Sequence, residues 1–73
     1  MLLTNGENRM NNEIKNAAIS VLHTHAVLLK ELTGSVKHSA LKEKADNLIS
    51  EHGHKAEVES ALFRVENLHN IAI

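Results

Sequence analysis

Apolar residues recur along this chain at helical spacing. From Asn12 onward, Ile14, Ala18, Val21, Leu28 and Leu32 follow steps of four and three, with one gap of seven that His25 fills. Ala17, Leu22 and Leu29 widen the row into a stripe broader than a two-stranded coil needs, so a helix over about 12–33 is expected to touch more than one neighbour. A second block, over about 35–52, carries Val36, Ala40, Leu41, Ala45, Leu48 and Ile49 on its apolar side, with Lys42 and Asp46 as an i,i+4 pair on the other. The third, over about 54–72, repeats the pattern at Val58, Ala61, Leu62, Val65, Leu68 and Ala72. Continuing the second seam would demand apolar residues at Lys55 and Glu59, so the phase changes at Gly53.

Punctuation comes from glycine alone, at Gly6, Gly34 and Gly53, because proline is absent. Gly34 fits the left-handed position after a helix and Ser35 fits a cap for the next one, a short link that makes the first two helices antiparallel neighbours. Gly53 permits either a turn or a continuous long helix, since glycine inside a helix costs only about 1 kcal/mol relative to alanine. Residues 1–10 include Asn5 and Asn8 and precede Asn11 and Asn12; they are expected to fray, leaving 11–73 as one helical domain. The predicted fold is all-α, two or three amphipathic helices in a hairpin or bundle.

Size changes that picture. The chain has 73 residues, of which 23 are Ile, Leu, Val, Met or Phe, with Phe63 the single aromatic, so its core must be aliphatic and thin. Assembly as a homo-oligomer is therefore expected, through Ile14, Ala18, Val21, His25, Leu28 and Leu32. With no cysteine, neither a disulfide nor a thiolate zinc site can add stability. The first ten residues lack the basic and apolar regions of a secretory signal, and no run approaches the roughly 18 apolar residues of a membrane span. A cytoplasmic protein with no membrane partner is the expectation.

Histidine is the main candidate chemistry. His23 and His25 differ by about 200° around a helix, which excludes a local chelate. His25 falls in the seam, where a neutral buried imidazole with a lowered pKa would fix register, and His23 faces solvent. His52 and His54 flank Gly53 and offer the better place for a chance metal contact, with turn polarity the simpler reading. Glu66 and His69 form a Glu-x-x-His pair of the kind di-iron bundles use, yet one chain supplies a single copy, so surface polarity is the simpler account. No cofactor or metal is expected.

Other chemistry finds little footing. There is no phosphate-cradling glycine loop, no paired carboxylates placed on an evident cleft and no cysteine nucleophile, so the chain reads as a non-enzyme. Eight basic against nine acidic residues give a net charge of −1 and no field for a polyphosphate. Lys30 and Ile49 occupy the positions four before Gly34 and Gly53 where a helix-turn-helix wants a small residue, and Lys37, Lys42 and Lys44 are interrupted by Glu43. Direct nucleic-acid binding is thus disfavoured. By elimination the profile is that of a small regulatory protein acting by stoichiometric protein–protein binding. In size and style, without any shared motif, it is similar to the antirepressors and inhibitors of phages and mobile elements. The partner, a regulatory factor, is expected on Val58, Leu62, Val65 and Leu68, where flanking charges form a polar rim. A small nucleic-acid-associated protein and a metal-dependent helical oligomer are the alternatives.

Overall fold

A computed structural model describes residues 2–71, with side chains described for 11–71. Three helices form it: α1 at Leu2–Thr33, α2 at His38–His52 and α3 at Lys55–Leu68. No strand occurs among the described residues. α1 begins ten residues before the predicted boundary at 12. Extending an existing helix adds a hydrogen bond for each residue fixed without a new nucleus, so the weak propensities of Gly6 and the asparagines do not stop it. At 1.5 Å per residue its 32 residues run about 48 Å. That length sets the long axis of a 46 × 23 × 19 Å molecule in which α2 and α3 are half as long.

Each connection is a local solution to unpaired backbone groups. Gly34 takes φ 84° and its N–H bonds the Lys30 carbonyl at 2.9 Å, ending α1 as the sequence predicted. Ser35 does not cap α2. Its N–H and carbonyl turn back to the Thr33 hydroxyl, and α2 starts at His38 with Lys37 in the cap position and no side-chain cap. Gly53, at φ 78° and ψ −148°, separates α2 from α3, so the two are not one continuous helix. His54 follows in the left-handed region at φ 61°.

α3 ends earlier than the apolar pattern suggested. Asn70 adopts φ 54°, and the Ile71 N–H reaches back to the Glu66 carbonyl at 2.9 Å. This six-to-one bond closes a Schellman turn, with asparagine tolerating the left-handed position and Ile71 packing onto the core. Ala72, assigned to the third helix from its periodicity, lies outside the described residues.

The core is one cluster contributed by all three helices: Ala18, Leu22 and Ala26 from α1, Leu41 and Ala45 from α2, and Val58, Ala61, Leu62 and Val65 from α3. Leu22, Leu41 and Val65 are its largest fully buried side chains, each worth roughly 1.5–3 kcal/mol of transfer free energy. Four alanines at 18, 26, 45 and 61 let the helices approach closely, and α1 packs more extensively on α3 than on α2. A three-helix bundle is thus completed within a single chain.

Candidate functional site

Closing the core splits the broad stripe of α1 into two. Ala18, Leu22 and Ala26, one turn apart, point inward with Ile19 packed beside them. Val21, Leu28 and Leu32 remain exposed, by 41%, 51% and 73%, and His25 beside them is partly exposed. Of the residues expected at an oligomer interface, Ala18 is therefore committed to the chain's own core, and Val21, His25, Leu28 and Leu32 form an outer apolar row. Ile14 and Ala17 extend that row to an open cleft of about 270 Å³ between α1 and the α2–α3 turn, floored by Leu48 and Val58 and rimmed by His52, Gly53 and His54.

The partner surface predicted on α3 requires correction. Val58, Leu62 and Val65 are 4%, 9% and 0% exposed, because they are the face by which α3 packs on α1 and α2. Only Leu68 of the four is exposed. An amphipathic stripe has the same period whether it meets its own bundle or a partner, so the pattern could not separate the two.

Two polar pairs tie the last turn of α3 to its neighbours. Glu66, expected on the surface, is buried, and its carboxylate meets Nδ1 of His38 at the start of α2. One turn on, His69 Nε2 lies 2.9 Å from His23 Nδ1 of α1, with ring centroids 4.9 Å apart and planes inclined by 34°. The Glu-x-x-His spacing thus holds two separate contacts, one to each neighbouring helix. Both partners are distant in sequence, 28 and 46 residues away, which is why spacing could not find them. For Glu66 a signal did exist: it lies four residues after Leu62 and beside Val65, on the inward side of α3.

The surroundings of His69 disfavour its charged form. Partial burial, the neighbouring His23 and the charge of Lys30 hold its pKa below the ordinary 6.5, in that order of weight. His23 and His25 occupy different faces of α1 as the 200° step requires: His23 meets His69, and His25 lies with Thr24 and Leu28 near Lys44. Among the described residues no three His, Asp or Glu side chains are grouped to hold a metal ion. No helix among them is long and apolar enough to cross a membrane. Lys42 Nζ lies 3.5 Å from the Asp46 carboxylate on the exposed side of α2, the i,i+4 pair that the spacing predicts. No protein-family model, curated protein or solved structure matches the chain.

Proposed function

We propose that the protein is a small non-enzymatic regulator that acts stoichiometrically by protein–protein binding, and that it does so as a homodimer paired along α1. The observation that supports this reading is the outer row of Val21, Leu28 and Leu32, left uncovered after the chain has closed its own core.

The row is self-complementary. About a midpoint between Thr24 and His25, an antiparallel second copy sets Val21 against Leu28 and Ala17 against Leu32, since each pair of numbers is symmetric about that point. Leu32, the most exposed of these side chains, then reaches the end of the row where Ile14, Ala17 and Val21 open into the cleft. A knob at one end of a helix and a hollow at the other suit a two-fold pair. The dimer is the species that engages a larger regulatory protein, in the style of a phage antirepressor.

Two measurements test it. Sedimentation velocity of the purified chain should show a dimer that Leu28→Asp converts to a folded monomer; a stable monomer at tens of micromolar would reject the pairing. For the regulatory role, a protein captured by the wild-type chain must be rebound in purified form at a fixed ratio and lost with Leu28→Asp. Binding at no defined stoichiometry, or turnover of a captured molecule, would overturn it.

A further inference from the structure

We propose that His23 and His69 form a two-point site for a divalent late transition-metal ion, Cu(II) above all, clamped between α1 and α3. The two donor nitrogens, His23 Nδ1 and His69 Nε2, already face each other at 2.9 Å on the exposed side of the α1–α3 contact. Two imidazole nitrogens each about 2.0 Å from one ion and at right angles lie about 2.9 Å apart, whereas a tetrahedral ion would hold them about 3.3 Å apart. The hydrogen-bonded spacing is nearer to that of adjacent corners of a square-planar or tetragonal site, so Cu(II) and Ni(II) need the smaller ring movement. Cu(II) also stands at the top of the affinity order for nitrogen donors.

The exchange needs no oxidant and no net proton. One imidazole now donates N–H to the other; to ligate, that donor carries its proton on the far ring nitrogen, and both facing lone pairs turn to the ion. Water fills the remaining positions. Neutral imidazole is the form that ligates, and the charge of Lys30 nearby opposes a bound cation, so the site is weaker than a structural one with four protein ligands.

Because the ligands are 46 residues apart in the chain, only the folded bundle presents them together, and the ion stabilises that state by mass action. His23 also lies about 140° around α1 from Leu28 and about 200° from Val21, so the site is independent of the proposed dimer face.

The test uses the full chain without a tag, titrated with copper(II) chloride at neutral pH. The thermal midpoint should rise with Cu(II), less with Ni(II) and least with Zn(II). At substoichiometric Cu(II), the ring proton signals of His23 and His69 should broaden before those of the other four histidines. His23→Gln and His69→Gln, whose amides still hydrogen-bond the remaining ring, should each abolish both effects, while the double variant His52→Gln, His54→Gln should keep them. A site at the Gly53 turn is shown instead if that double variant loses the response. Uniform broadening of all six histidines, or a midpoint shift that survives His69→Gln, overturns the proposal. A larger rise with Zn(II) than with Cu(II) refutes the square-planar assignment.

Discussion

His38, the first residue of α2, closes over Glu66, the one charged side chain buried among the described residues. The carboxylate is placed where the start of a helix favours negative charge, and every buried side-chain polar atom among the described residues has a partner. His38→Ala takes that partner away from one that cannot reach solvent, so it should cost about 1–3 kcal/mol in urea unfolding. Adding Glu66→Leu to His38→Ala should recover most of the loss, since replacing both members of a buried pair by apolar groups is often neutral or stabilising. If His38→Ala alone leaves the unfolding midpoint unchanged, the pair does not stabilise the fold.

Acid should weaken the bundle through His69. Its folded pKa is below that of the unfolded chain, so between the two values the unfolded state binds more protons and stability rises with pH. The contribution is fully present above about 6.5, falls as pH drops through that value and levels off below the folded pKa. Stability measured from pH 8 to pH 5 should decline over this window, and His69→Gln should flatten it. An identical slope in that variant would place the acid sensitivity elsewhere.

Much of the fold was legible in the residues themselves. Steps of three and four defined three amphipathic segments, and Gly34 and the phase change at Gly53 marked the breaks, because these features act within a few residues. What the pattern could not assign was the destination of each apolar face. Val58, Leu62 and Val65 carry the same signature as a docking helix but are core. The seam of α1 divides, with Ala18 turned inward while Val21, Leu28 and Leu32 stay out. The contacts between His38 and Glu66 and between His23 and His69 join different helices, and a single sequence has no local spacing that encodes them.

That division gives opposite expectations for two substitutions of similar chemistry. Val65→Asp buries an unpaired carboxylate at a fully enclosed site, a cost of several kcal/mol against the small total stability available to a chain of this length, and should abolish the helical circular dichroism. Leu28→Asp introduces its charge on a side chain half open to water, so the monomer should keep its helicity within about 0.5 kcal/mol of stability. Unfolding of Leu28→Asp at concentrations where the wild type is monomeric would mean that Leu28 supports the bundle itself.

Gly53→Ala distinguishes the bent α2–α3 arrangement from a continuous helix by the sign of its effect. A Cβ at this position meets nothing within 4 Å, so crowding contributes no cost. The backbone does: φ 78° with ψ −148° belongs to a region open almost only to glycine, and forcing alanine into it should destabilise the protein by about 1–3 kcal/mol. Were α2 and α3 instead one helix in solution, the same change would stabilise by roughly 1 kcal/mol, since alanine replaces glycine in a helix interior. Denaturant unfolding of the monomeric chain reads the sign directly. Small-angle scattering in the Leu28→Asp background, which holds the chain monomeric, supplies the companion measurement, because the bent arrangement of one chain has a radius of gyration of 13.2 Å over its Cα atoms, and a straightened α2–α3 rod would raise it well above that value. A stabilised, elongated Gly53→Ala variant would show that the turn is not obligatory and that the chain can extend into a long helical hairpin.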